Sequence, residues 1–226
     1  MQPTKNSKPT VVTIDGPAAS GKTTVSRLLA QRRGWAWVST GAFYRGLAYV
    51  ATREGVSLDN EDALAQLCVS NIWSVKMAPE RTHVFLRNEN VTDEIYKEEN
   101  GSSASFISRY PKVRANLLQA QRNCVNGLAG LVAEGRDCGT VVFPDALVKV
   151  YLTAGSENRA ERRARETGKN IEEMRMAQVL RDLQDSSRQA APMQVPPNAF
   201  VLDTTSLKLE EVIDILDGVV RKELEL

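Results

Sequence analysis

Gly16, four intervening residues and then Gly21-Lys22-Thr23 have the spacing of the phosphate-binding P-loop. No other stretch narrows the possible folds as far. Before it, Val11-Val12-Thr13-Ile14 is apolar enough for a buried strand. After it, a helix begins at Lys22 and ends at Gly34. A loop at a helix N-terminus aims unpaired backbone N–H groups at one point, and the helix dipole favours an anion there. Gly16 and Gly21 allow positive φ and close approach of the backbone to phosphate. Lys22 supplies a point charge for the β- and γ-phosphates, and the Thr23 hydroxyl is placed to ligate Mg²⁺. An ordinary turn before a helix would use the same residue types, but strand, loop and helix stand here in the order the motif needs. The expected triphosphate contacts are Gly16, Pro17, Ala18, Ala19, Ser20, Gly21, Lys22, Thr23 and Thr24.

The chain has 226 residues and a formal net charge of +1. That length supports one sizeable α/β core with small insertions, and the near-neutral balance argues against a bulk polyanion such as DNA as partner. Cys68, Cys124 and Cys138 show neither C-x-x-C nor zinc spacing, which fits idle thiols in a reducing compartment. A single histidine, His83, excludes His-based triads and multi-His metal sites, and its alternating segment suggests a structural role. Residues 1–10 are polar and read as a frayed tail, not a signal peptide. No apolar run approaches the ~20 residues of a membrane helix. The expectation is a cytoplasmic protein, and a monomer because no apolar stripe demands a partner.

Apolar strand candidates at 11–14, 35–38, 131–133, 148–152 and 200–202 alternate with helical segments. That pattern reads as a doubly wound, parallel sheet of about five strands with helices on both faces, the P-loop NTPase arrangement. Between them the texture changes. Residues 71–77 and 82–87 read as a hairpin around Ala78-Pro79-Glu80-Arg81, with Asn88-Glu89-Asn90 as a turn. Residues 93–108 read as helical in part, loosened by Gly101 and the nearby serines. An antiparallel patch inside an alternating chain suggests an inserted α+β subdomain at 68–105, with the core at 11–67 and 106–226.

Four clusters beyond the P-loop could carry chemistry. Ser39-Thr40-Gly41-Ala42-Phe43-Tyr44-Arg45 follows a strand and opens a helix, so Arg45 either faces the P-loop or is an exposed arginine on a capped helix. Gly135-Arg136-Asp137 also follows a strand. Its carboxylate could hold Mg²⁺ or read a substrate, and its arginine could clamp phosphate, or the two could form a surface ion pair. The helix capped by Ser156, with Arg159, Arg162, Arg163 and Arg165 before Gly168, fits a solvated face or a mobile lid over about 156–172. Arg181, Asp185 and Arg188 share one helix face, as an ion-pair ladder or as ligands.

In their order along the chain these motifs resemble bacterial cytidylate kinases of the nucleoside monophosphate kinase superfamily. The resemblance runs from Ile14-Asp15-Gly16-Pro17 through Thr40-Gly41-Ala42-Phe43-Tyr44-Arg45 and Tyr110-Pro111-Lys112-Val113-Arg114. It continues through Glu134-Gly135-Arg136-Asp137-Cys138-Gly139-Thr140-Val141-Val142-Phe143-Pro144-Asp145-Ala146 to Arg181, Asp185, Arg188 and Ala191-Pro192. It implies ATP-dependent phosphorylation of CMP and dCMP with Mg²⁺, Lys22, Arg45, Arg136 and Arg188 being the catalytic set. Arg45, Arg136 and Arg188 match residues that hold the acceptor phosphate. Ser105, Arg114 and Asp137 match those around the cytosine, and Arg181 and Asp185 match ribose contacts. Thr40 and Tyr44 match the acceptor pocket lining, and Arg159 and Arg163 fall in the lid over ATP. Ser39 stands where the family usually has an acid; it resembles adenylate kinases there, but their Gly-Phe-Pro-Arg segment is absent. The alternatives are a kinase for AMP or UMP, a GTPase-like switch, which would need an Asn-Lys-x-Asp motif that is missing, and a regulatory ATP-binding module, against which the intact charged set argues.

Overall fold

The computed structural model describes residues 9–225. Residues 1–8 of the expected tail lie outside the described residues, and Thr10, read as its last residue, opens β1 (Thr10–Asp15). The P-loop leads into α1 (Lys22–Arg33), followed by β2 (Ala36–Ser39), α2 (Gly41–Arg53) and α3 (Glu61–Cys68). Asn60 caps α3, its side chain accepting from the Ala63 amide at 3.0 Å. An antiparallel sheet of β3 (Trp73–Met77), β4 (Thr82–Leu86) and β5 (Glu89–Asn90) comes next, then α4 (Thr92–Ile95), α5 (Glu98–Ile107) and α6 (Pro111–Asn123). Beyond β6 (Gly130–Gly135) lies one turn of π-helix, Cys138–Val142. The rest is β7 (Val148–Thr153), α7 (Ser156–Thr167), α8 (Ile171–Ser187), β8 (Phe200–Asp203) and α9 (Leu209–Leu224).

The larger sheet has the order β2-β6-β1-β7-β8, and every pairing in it is parallel. Strand order reverses beside β1, so a crevice opens at its C-terminal end, where ligands bind in such sheets. The two faces of β1 carry different jobs. Val12 and Ile14 pack with Val25 and Leu29 of α1 and with Val212 and Leu216 of α9. On the other face, buried Asp15 accepts from the Cys138 and Gly139 amides at 2.8 and 2.7 Å and fixes the start of the π turn. Period-2 alternation also decides where β6 points its acid: Val132 packs toward α1, so Glu134 two residues on lies over the α1 N-terminus.

The second face of the sheet shares one core with the antiparallel patch. Val38, Leu131 and Ala133 join Leu47 of α2, Trp73, Val84, Ile95, Ile107 and Leu117 in a single buried cluster. The insert is thus seated on the core through α2.

Five features differ from the sequence reading. Asn88-Glu89-Asn90 is not only a turn, because Glu89 and Asn90 pair with Leu86 and Phe85 as β5. Gly101 does not loosen its segment; α5 runs through it unbroken. Gly155, not Ser156, is the N-cap of α7. No element was expected at Cys138–Val142, where Val142 N donates to Asp137 O at 3.2 Å and Phe143 N to Cys138 O at 2.7 Å. Finally, α8 exposes an apolar stripe of Met176, Val179, Leu180 and Leu183 where none was anticipated. Among the described residues no helix is long and apolar enough to cross a membrane.

Candidate active site

A cleft of about 560 Å³ runs between the P-loop and α5, α8 and the end of β6. At its near wall the P-loop is drawn tight. Gly16 has φ +147, and a Cβ there would lie 2.0 Å from the Leu152 carbonyl oxygen of β7. Lys22 Nζ donates to Pro17 O at 2.6 Å and to Ser20 Oγ at 3.3 Å. Burial, with the Arg136 charge acting the same way, lowers its pKa to about 7. The Thr23 hydroxyl donates to Glu134 at 3.1 Å. Hydroxyl and carboxylate oxygens at a P-loop suit Mg²⁺, which takes few protein ligands and keeps phosphate and water oxygens as the rest.

Asp182 of α8 steadies the P-loop from behind. It accepts the Ala18 amide at 3.0 Å and Arg159 at 2.6 Å, while Arg159 donates to Ala18 O at 3.0 Å. Arg159 therefore backs the loop and does not line the cleft, nor do Gly16 and Pro17. Of the other α7 arginines, Arg163 lines the cleft, Arg162 lines it beside Gly21 and donates to Thr204 O at 3.0 Å, and Arg165 is exposed.

The far wall is a network of arginines and carboxylates. Arg136 donates through Nε to Asp185 at 2.8 Å and through Nη1 to Gly16 O at 3.0 Å. Burial disfavours its charge, but Asp185 outweighs that and holds the guanidinium above its usual pKa. Asp185 also accepts from Ser105 at 2.9 Å. Burial acts against its ionisation too, and Arg136 overcomes this to hold the carboxyl below its usual range. Asp137 pairs with Arg114 and lies 3.4 Å from Arg188. Arg188 donates to Ser108 Oγ at 3.1 Å and Ala191 O at 2.6 Å. Arg114 sits behind Asp137, off the cleft lining, and donates to Ser108 O at 3.2 Å.

Burial pushes the Tyr44 phenol upward, and the Arg114 guanidinium lies 5.6 Å from the centre of its ring. Arg45 donates to Ile95 O and Lys97 O at 3.1 and 3.3 Å, and burial followed by the Arg181 charge lowers its pKa to about 10. Thr40 turns its hydroxyl to Glu134 O at 2.9 Å. Both the surface pair and the intrahelical ladder thus give way to buried contacts between distant segments. Arg136 pairs with Asp185, not Asp137, and the Arg188–Asp185 approach of 3.9 Å is too long for a hydrogen bond. Within this wall, Arg181 Nε and Arg188 Nη2 make no hydrogen bond among the described residues, although Arg188 Nη2 lies 3.4 Å from Asp137 Oδ1.

Sequence reasoning missed Glu98, Ser108, Glu134 and Asp182 as members of this site. Only Glu134 carried a usable signal: an acid at the end of an apolar strand, on the α1 face by alternation.

Cys68, Cys124 and Cys138 are unpaired, and burial pushes all three thiols up, Cys68 to about 12 and Cys124 to about 11. His83 faces Glu80 and Thr92 at 3.0 and 3.2 Å, away from the cleft lining.

A five-stranded parallel sheet with a P-loop after its central strand, facing an arginine-lined wall across one cleft, defines a P-loop kinase. A family model for cytidylate kinase matches residues 12–222. A cytidylate kinase of Bdellovibrio bacteriovorus is 58% identical over 214 residues, covering 95% of this chain and 99% of that protein. One from Azotobacter vinelandii is 43% identical over 227 residues, covering 96% and 98%. The chain belongs to the cytidylate kinase family. In fold it also resembles a gluconokinase from Sinorhizobium meliloti (TM-score 0.50, 15% identity, 96% of this chain and 95% of that one).

Proposed function

We propose that this enzyme transfers the γ-phosphoryl group of ATP to CMP and dCMP, giving ADP and CDP or dCDP. One observation carries the reading: Arg136 joins the two walls, holding Gly16 O of the P-loop with one nitrogen and Asp185 of α8 with another. A cation in that position sits between a donor triphosphate and an acceptor phosphate. Arg181 Nε, and Arg188 Nη2 beside Asp137 Oδ1, supply further donors for anionic oxygens.

On this reading the P-loop from Gly16 to Thr24 takes ATP, with Arg159 holding the loop and Arg163 on the lid. Lys22, Arg45, Arg136 and Arg188 gather charge as it shifts during in-line transfer, and no covalent intermediate forms. Asp137 accepts from the N4 amine of cytosine, and Arg114 orients Asp137 from behind. Uracil would present a carbonyl to Asp137, an unpaired contact that a buried hydrogen-bonding site rejects strongly. Ser105 faces the cytosine with Asp137; Arg181 and Asp185 face the ribose, and Thr40 and Tyr44 line the pocket. Thr23 and Glu134 would hold Mg²⁺, which supplies charge neutralisation on the phosphates. The insert at 68–105 acts as the acceptor-binding domain, and α7 with the start of α8, about 156–172, as the lid that excludes water. The three unpaired thiols suit a reducing compartment, the cytoplasm.

Coupled ADP-release assays with CMP, dCMP, UMP and AMP test this. CMP and dCMP should lead. Equal turnover of AMP and CMP would sink the cytosine assignment.

A further inference from the structure

Glu98 opens α5 on the insert, yet its two carboxylate oxygens are spent on arginines from two other segments. One oxygen takes Arg163 of α7, Nε at 2.9 Å, with Nη2 in contact as well. The other takes Arg181 of α8, Nη1 at 3.1 Å. The Glu98 side chain is only 15% exposed, so these pairs are shielded and geometrically fixed in a way that surface pairs are not.

One helical turn further on, Gly101 lies on the same face as Glu98. A Cβ on Gly101 would come within 3.0 Å of both Arg181 Nη1 and Arg45 Nη2. This first stretch of α5 is therefore a socket. The missing side chain at 101 admits two guanidinium heads, and the carboxylate at 98 aligns Arg181 with the lid arginine. Three like charges, on Arg45, Arg163 and Arg181, meet at Glu98, with Glu166 taking a further Arg163 nitrogen at 3.0 Å, and all three arginines line the cleft.

We infer that Glu98 is a positioning residue for phosphoryl transfer. It ties the lid arginine Arg163 to the acceptor-side arginine Arg181, so that the donor and acceptor halves reach their reacting arrangement together. This rests on the two-nucleotide reading above. Glu98 touches neither substrate; it acts through the arginines. Removing its charge leaves the cleft more positive, so phosphate groups still bind, but the arginines lose their alignment.

The test is Glu98→Gln, with Glu98→Asp as the conservative partner, in the full chain. In Glu98→Gln, kcat falls by about tenfold to a hundredfold, the loss expected when charged groups stand about an ångström out of place. The KM values for ATP and CMP stay flat or fall. Glu98→Asp regains part of kcat. A second arm needs no turnover: the Nε–Hε NMR signals of Arg163 and Arg181, assigned through Arg→Lys variants, are those of ordered side chains in the parent chain and average in Glu98→Gln. An unchanged kcat in Glu98→Gln, or a loss confined to KM, would overturn the inference, and so would unaltered arginine signals. If the parent chain itself fails to phosphorylate CMP, the two-nucleotide reading falls, while the NMR arm still decides whether Glu98 orders the pair.

Discussion

Arg136 and Asp185 form a largely buried ion pair, Nε to Oδ2 at 2.8 Å, between the residue that follows β6 and the last turn of α8. Asp185 thereby aims the guanidinium that spans the cleft, in addition to the ribose contact proposed for it. Asp185→Ala is expected to cut kcat/KM for both CMP and dCMP by about a hundredfold, since Arg136 loses the carboxylate that aligns it and a misplacement of about an ångström costs that much. CMP should lose about tenfold beyond dCMP if the 2′-hydroxyl donates to this carboxylate. Steady-state kinetics on both substrates gives the ratio, and an equal loss would remove the hydroxyl contact while leaving the Arg136 role intact.

Arg188 is buried at the cleft, its Nη2 3.4 Å from Asp137 Oδ1 without a hydrogen bond between them, so a donor remains for a substrate phosphate. Arg188→Ala should lower kcat by about a hundredfold to a thousandfold, as for loss of one preorganised donor to developing charge. Far-UV circular dichroism should be unaltered. Activity within a few-fold of the parent would rule out a phosphate role.

Gly101 sets helix stability against site geometry. Alanine in a helix interior is favoured over glycine by about 1 kcal/mol, so Gly101→Ala should hold or raise the melting temperature. Its methyl group would displace Arg45 and Arg181, and the KM for CMP should rise by roughly tenfold. Calorimetry and kinetics on the same preparation check both halves. A KM unchanged alongside a raised melting temperature would mean that the arginine tips yield without consequence.

Strand alternation places the Glu134 carboxylate beside the Thr23 hydroxyl, where the proposed Mg²⁺ would be held. In Glu134→Gln the Mg²⁺ concentration for half-maximal rate should rise by about tenfold to a hundredfold, the usual effect of altering a group beside a metal ligand. The readout is a Mg²⁺ titration at fixed ATP. An unmoved midpoint would leave Thr23 as the sole protein contribution.

Asp15 provides the pH test. Burial raises its carboxyl pKa to about 6 against the pull of the Gly139 and Cys138 amides. A folded-state value above the unfolded one means the folded chain holds the extra proton between about pH 4 and pH 6. The resulting stability is full below that window and is lost as pH rises through about 6, a swing on the order of 2–3 kcal/mol. The stability difference between the parent and Asp15→Asn, from urea melts at pH 4 to 7, should shrink across that range as pH rises. A flat difference would mean the carboxyl titrates normally.

Local signals served sequence reading well where chemistry and fold coincide. Gly16 to Thr23 is read by spacing alone, β1 and β6 by short apolar runs of the kind a doubly covered parallel sheet demands, and β7 by Val148, Val150, Tyr151 and Leu152 around Lys149. What was lost depended on distance. Glu98 and Asp182 look like any helix acids in sequence, and their partners lie 65 and 164 residues away. β5 is two residues long, too short to show a period. Gly101 reads as a helix weakness until two arginines are seen to need its empty space. The π turn follows from Asp15 pulling on Cys138 and Gly139, a tertiary contact with no local pattern.

The crowding at Gly16 alters how genetic results at that position should be interpreted. With Leu152 O only 2.0 Å from where a Cβ would stand, even alanine must force β1 from β7 before any nucleotide arrives. A Gly16 variant that loses activity would then report damage to the sheet, not a missing phosphate contact. Such variants are poor inactive controls for this enzyme; a clean one has to come from the opposite wall, at Arg188.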